Sequence, residues 1–191
     1  MKDLIAAIKA CRVCEEFLEL GPRPVVTGHA ESKIIIIGQA PGTKVHRSGI
    51  PWDDASGKEL RRWLDVDEDT FYNTKNFAIV PMGFCYSGKG KSGDLPPRPE
   101  CAPLWHEPLL EKMPNVQLIL LIGMYAQRYY LGDKAQRTLT ETVQNYATYL
   151  PQYLPLPHPS PRNRIWMKRN GWFEKEVVPI LRERVKSLIK K

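Results

Sequence analysis

No apolar stretch in this sequence approaches the roughly 20 residues a helix needs to span a bilayer. The opening MKDLIAAIKACRVCEE mixes acidic residues and cysteines where an export signal would need a clean apolar core. Membrane insertion and secretion are therefore not expected, and a soluble, cytoplasmic protein is. Acidic residues are in deficit: 21 Asp and Glu against 28 Lys and Arg leave a formal net charge of +7. That balance favours a polyanionic partner such as nucleic acid, although a merely basic surface would produce the same number. Internal repeats are missing, and at 191 residues the chain is long enough to bury a core without disulfide staples. A single domain, 1–191, is expected.

The apolar pattern alternates between strands and helices. Lys33 to Gly38 (KIIIIG) is a continuous β-branched run closed by glycine, the pattern of a strand buried on both faces of a parallel sheet. FAIV at 77–80 and QLILLIG at 117–123 repeat it, and a short fourth strand is expected at 153–156. Leu4, Ile5, Ile8 and Leu18 predict an N-terminal helix over 2–20 that carries Cys11 and Cys14 and ends at Gly21-Pro22. Ser56 to Glu59 has capping-box spacing ahead of a helix presenting Leu60, Trp63 and Leu64. The fold class this predicts is α/β, a three-layer α/β/α sandwich around a central, mainly parallel four-stranded sheet. In such sheets ligands bind beyond the carboxyl ends of the strands, so the loops after Gly38, Val80 and Leu156 should build the site.

Those loops carry the chemistry. Gln39-Ala40-Pro41-Gly42 follows the central strand, where glycine allows backbone to approach a ligand closely; a plain tight turn would look the same. Farther along the loop, Trp52 offers an aromatic face beside Asp53 and Asp54. A base extruded from a nucleic acid needs a ring to stack on, and hydrolysis needs a positioned water, which either aspartate could hold. Core packing for Trp52 and a helix cap for the aspartates are the competing readings. His158 opens the proline-stiffened run Pro159-Ser160-Pro161-Arg162-Asn163, where a preorganised imidazole could hydrogen-bond a leaving group as negative charge develops on it. Arg162, Arg164, Lys168 and Arg169, interleaved with Trp166 and Trp172, suggest a phosphate-contacting surface or simply a basic helix face. The four cysteines fall as Cys11-x2-Cys14 and Cys85-x15-Cys101. In a reducing compartment such a set binds a metal more often than it forms disulfides, and spacing alone leaves zinc, an iron-sulfur cluster and free thiols open.

Taken together, GQAPG after a buried strand, GIPW downstream, the paired cysteines and the late HPSPRN resemble the uracil-DNA glycosylase superfamily, from Cys11 to about Trp172. The cysteine framework is similar to that of the iron-sulfur bacterial and archaeal members; HPSPRN is closest to the single-strand-selective type. The resemblance implies a monomeric, monofunctional DNA glycosylase that flips out and hydrolyses away a damaged base, uracil or another deaminated one. It implies a [4Fe-4S] cluster, rather than zinc, on Cys11, Cys14, Cys85 and Cys101. Trp52 would stack on the base, Gln39 to Gly42 would read its edge, His158 would stabilise it as it leaves, and Ser160 to Arg164 would engage the DNA, with Arg162 probing the vacated stack. Water would fall to Gln39, Asp53 or Asp54. Two departures bear on activity. Relatives place a carboxylate at position 39 or 40, and an amide such as Gln39 does not accept a proton at neutral pH. Many also place a base-reading asparagine at the strand end occupied here by FAIVPMGF, with Asn76 upstream of that position. A binding module that has lost catalysis, or an iron-sulfur redox protein, would account for parts of the pattern.

Overall fold

The isoleucine run forms the middle of the sheet because four consecutive β-branched residues suit a strand with apolar layers on both sides. In the computed structural model, which describes residues 1–189, β1 (Ile34–Ile37) lies between β2 (Phe77–Ile79) and β3 (Leu118–Ile122), and β4 (Tyr153–Leu156) completes the order β2-β1-β3-β4. Every pairing is parallel, with Ile34 opposite both Phe77 and Leu118, and Ile119 opposite Tyr153. The helices are α1 (Lys2–Lys9), α2 (Thr43–Ser48), α3 (Ala55–Leu64), α4 (Glu68–Tyr72), α5 (Cys101–Glu111), α6 (Met124–Leu131), α7 (Leu139–Gln144), α8 (Arg164–Arg169) and α9 (Val178–Ile189).

Alternation along the strands sorts the two outer layers. Ile34 and Ile36 pack with Leu60, Trp63 and Leu64 of α3, Phe71 of α4, and Val178, Leu181 and Val185 of α9. Ile35 and Ile37 face the other way, against Ile8 of α1, Leu109 of α5 and Leu131 of α6. All four isoleucines are fully buried, each contributing about 1.5–3 kcal/mol of transfer free energy. The outer edge of β2 is covered by residues 25–27, through an antiparallel bridge between Thr27 and Ile79 and a bond from the Val25 amide to the Phe84 carbonyl at 2.8 Å. The expected three-layer sandwich and its four strands are present. Among the described residues no helix is long and apolar enough to cross a membrane.

Two local expectations are corrected. The first helix stops at Lys9, and the chain continues as i→i+3 turns, Cys11 N–H to the Ile8 carbonyl and Glu15 N–H to the Arg12 carbonyl, each 3.0 Å. Cys11, Val13 and Cys14 are weak helix formers, so both cysteines sit in the turn and not on the helix. Helix α3 is capped by Asp54, whose carboxylate accepts from the Gly57 N–H at 2.8 Å, and not by Ser56. Glu59 binds Arg62 and the Trp63 indole instead of closing a capping box. Trp166 and Trp172 are partly buried. They stack edge-on with each other and with Phe173, and the Trp166 indole donates to the Thr140 hydroxyl at 2.8 Å.

Candidate active site

The strand order reverses direction between β1 and β3, since the chain steps outward to β2 on one side and to β4 on the other. At such a switch point the loops part and leave a crevice. A pocket of about 570 Å³ opens there, lined by the loops after β1, β2 and β4. These are the three loops that the sequence pattern singles out.

Trp52 and His158 face each other across this pocket with ring centroids 5.7 Å apart and planes inclined at 32°. The tryptophan is held by close backbone fits. Its φ is +57°, a conformation costly for a bulky residue. A Cβ on Gly57 would fall 1.8 Å from the Trp52 carbonyl oxygen, and one on Gly38 would fall 3.0 Å from its ring. The Tyr72 hydroxyl donates to the neighbouring Pro51 carbonyl at 3.0 Å. Helix α3, the end of β1 and α4 therefore jointly fix one side chain. His158 is fixed from its own loop: Asn163 Nδ2 donates to the His158 carbonyl at 2.8 Å, and Ser160 accepts from the Arg162 N–H. Burial pushes the His158 pKa below the ordinary imidazole value, against the opposing pull of the Asp54 and Asp94 charges. The ring is thus neutral at physiological pH, with one N–H to donate.

Gln39, Ala40, Pro41 and Gly42 all line the pocket. The Gln39 side-chain amide, however, donates to the Leu95 carbonyl at 3.0 Å, so it anchors the loop after β2. Asp54 also lines the pocket, with one oxygen engaged as the α3 cap. Asp53 does not line it; its carboxylate lies 3.7 Å from Lys44. Ser160, Arg162 and Asn163 reach the rim, whereas Pro161 and Arg164 are exposed beyond it. Asn76 is spent on structure, donating to the Thr70 carbonyl, and Pro81 occupies the pocket wall beyond β2.

Sequence reasoning missed Ser87, Ser92, Asp94 and Leu95, all pocket-lining. They lie in the Gly83 to Pro99 stretch, whose Gly, Lys and Ser content marks a loop but gives no register. Ser87 is buried with no partner for its hydroxyl. Asp94 reaches toward the first loop, its Oδ2 3.6 Å from the point where a Cβ on Gly42 would sit.

Cys11, Cys14, Cys85 and Cys101 converge on a second, smaller cavity that they line together with Phe84, Arg98 and Trp105. None is in a disulfide. Among the described residues no three His, Cys, Asp or Glu side chains meet closely enough to share a single ion, so the thiols ring a space and not a point. Burial pushes Cys14 and Cys85 up to about 11, and Cys101 upward too, with charge on neighbouring cysteines adding to each. Cys14 also contacts Glu100 at 3.5 Å, which pairs with Arg98, and that guanidinium lies 4.1 Å above the Phe17 ring.

Residues 25–182, most of the chain, match the model of the uracil DNA glycosylase superfamily. The chain belongs to that superfamily. Its fold is also similar to the solution NMR structure of a candidate uracil DNA glycosylase from Methanosarcina acetivorans, at 18% identity and a TM-score of 0.48 over 83% of this chain and 94% of that one. The matched region of this superfamily member holds the whole pocket and two of the four cysteines, Cys85 and Cys101; Cys11 and Cys14 precede it.

Proposed function

We propose that this chain is a monofunctional DNA glycosylase that draws a deaminated base, uracil foremost, into the 570 Å³ pocket and hydrolyses its bond to the sugar. The observation that carries the reading is the Trp52–His158 pair, 5.7 Å apart at the switch point of a superfamily fold. Trp52 offers the stacking face for an extruded base. The neutral His158 donates a hydrogen bond to a base carbonyl as the glycosidic electron pair moves onto the base, and its burial strengthens that bond where the charge develops. Backbone of Gln39 to Gly42 faces the base edge. Exposed Arg162 and Arg164 meet the DNA backbone, consistent with the +7 formal charge.

Hydrolysis without strand cleavage follows from the one lysine among the pocket residues. A Schiff-base lysine must be neutral and desolvated. Lys44 is 68% exposed at its side chain and sits beside Asp53 at the solvated rim, without the desolvation such a nucleophile needs.

The four cysteines would hold a [4Fe-4S] cluster. Four free thiols lining one cavity would supply the soft ligands such a centre needs, and the likeness of the cysteine framework to that of the iron-sulfur members favours it over zinc. The cluster's contribution would be structural, tying residues 11–14 to the segment from Cys85 to the start of α5.

Base release from labelled single- and double-stranded oligonucleotides containing uracil, hypoxanthine, xanthine or thymine mismatches tests the activity, using anaerobically purified protein with its visible spectrum and its iron and zinc contents measured. Release of a free base with DNA left unbroken, from protein with broad visible absorption and about four irons per chain, is expected. Intact DNA from fully loaded protein would refute the enzyme reading. One zinc per chain and no iron would refute the cluster.

A further inference from the structure

Building on the glycosylase reading, we propose that Asp94 is the carboxylate that positions the attacking water, delivered to the pocket by a hairpin after β2 instead of by the GQAPG motif. Residues 88–95 double back on themselves: Lys89 bridges Asp94, and the Leu95 N–H donates to the Gly88 carbonyl at 2.9 Å. The hairpin is bonded to the loop after β1 and lies against the loop after β4. Gln39 Nε2 holds the Leu95 carbonyl at 3.0 Å. On the opposite side Arg162 Nη1 lies 3.2 Å from the Cβ position of Gly93, whose φ of +156° suits glycine. Asp94, between these two contacts, is thereby placed over Gly42.

Elimination leads to the same residue. Two carboxylates line the pocket, Asp54 and Asp94. Asp54 has one oxygen engaged in capping α3, so taking up a proton there would weaken the cap, and Asp53 lies outside beside Lys44. Gln39 cannot take a proton and is already engaged with the hairpin. Its amide thus acts as a positioning group for the loop that carries the carboxylate. The charge of Asp94 is also felt by His158, which places the two on the same pocket.

The step balances with water alone. The bond between C1′ and the base nitrogen breaks with its electron pair on the base, which is stabilised by the His158 N–H. The water oxygen bonds to C1′ and gives its proton to the Asp94 carboxylate, which returns it to solvent. The departing base takes one proton from solvent, leaving an abasic sugar and free base.

The test compares wild type, Asp94→Asn, Gln39→Glu and the double variant in single-turnover base release, on whichever oligonucleotide the wild type cleaves. Asp94→Asn should slow release about 10²–10³-fold, the range for losing a positioned acid–base group. Affinity for abasic-site DNA should stay within about threefold, since the lost interaction forms only in the transition state. The acid limb of the wild-type pH–rate profile should vanish in Asp94→Asn. Gln39→Glu added to Asp94→Asn should recover about tenfold by returning a carboxylate to the pocket, a rescue no merely structural role would produce. Wild-type rate and an unchanged acid limb in Asp94→Asn would overturn the assignment, whereas a wild type inert on every oligonucleotide would overturn the underlying glycosylase reading.

Discussion

The pocket and the cysteine corner are both assembled from loops far apart in sequence, but they are held in different ways. At the pocket, backbone fits and hydrogen bonds define the geometry without any added group: Gly57 and Gly38 against Trp52, Asn163 on the His158 carbonyl, Gln39 on Leu95. At the corner four free thiols line a small cavity, with Glu100 in contact with Cys14, and burial raises the proton affinity of Cys14, Cys85 and Cys101. Preorganisation of that kind suits a site whose work is to stabilise a transition state. If the proposed cluster is held at the corner, its binding would contribute to folding there.

The sharpest break of the comparison is His158→Ala. Losing one preorganised donor to a developing anion costs about 10²–10³-fold in kcat, and the variant should keep its fold and DNA affinity because the loop is held by Asn163 and by prolines. Unchanged single-turnover base release would remove His158 from the chemistry. Gly57→Ala comes next. Its methyl would meet the Trp52 carbonyl, so α3 or the Trp52 backbone must shift, at about 1–3 kcal/mol of stability. An ångström-scale displacement of the stacking ring should lower kcat/KM by about 10²-fold. Gly171→Ala, where an added Cβ meets nothing within 4 Å, serves as the control and should alter neither quantity.

The same contrast explains what the sequence made legible. The four strands could be read because Ile34–Ile37 and Leu118–Ile122 are uninterrupted apolar runs, and even the four residues of β4 fall where expected. Trp52 and His158 could be read because proline and glycine neighbours mark their loops. Asp54 shows the limit: its place in the sequence suits a cap and a water ligand equally, and only the Gly57 N–H at 2.8 Å reveals the cap. Asp94 left no mark, since it reaches the pocket on a hairpin held by the Gln39 side chain, which bonds the Leu95 carbonyl 56 positions away. The tryptophans of the C-terminal segment do both of the things an indole among arginines can do, packing edge-on against Phe173 while staying partly exposed.

Removing a ligand from the corner tests the other half of the comparison. If the proposed cluster is bound, Cys85→Ser or Cys101→Ser should lose it and lower Tm by about 10 °C, equivalent to about 3 kcal/mol of linked binding in a chain of this size. Below that Tm, base release should persist, because the pocket is fastened by its own contacts. An equal Tm for metal-free and loaded wild type would mean the corner needs no closure.

Helix α5 joins the two regions, since Cys101 begins it and His106, farther along, reaches the pocket wall. His106 Nε2 lies 3.1 Å from the Pro81 carbonyl and Nδ1 2.6 Å from the Tyr130 hydroxyl. The Pro81 carbonyl can only accept, so Nε2 carries a proton, and in the neutral ring Nδ1 accepts from the Tyr130 hydroxyl. Burial pushes the pKa of His106 down to about 4, with the Pro81 bond opposing. In the unfolded chain the ring returns to about 6.5, so between those values the unfolded state binds a proton that the folded state does not. Stability should therefore fall as pH drops from about 6.5 to about 4, by about 2 kcal/mol at pH 5 from this residue. Urea denaturation of wild type and His106→Gln at pH 7 and pH 5 checks it: the variant should be less stable at pH 7 yet lose less on acidification. Equal losses in the two proteins would show that the link between corner and pocket does not depend on a neutral His106.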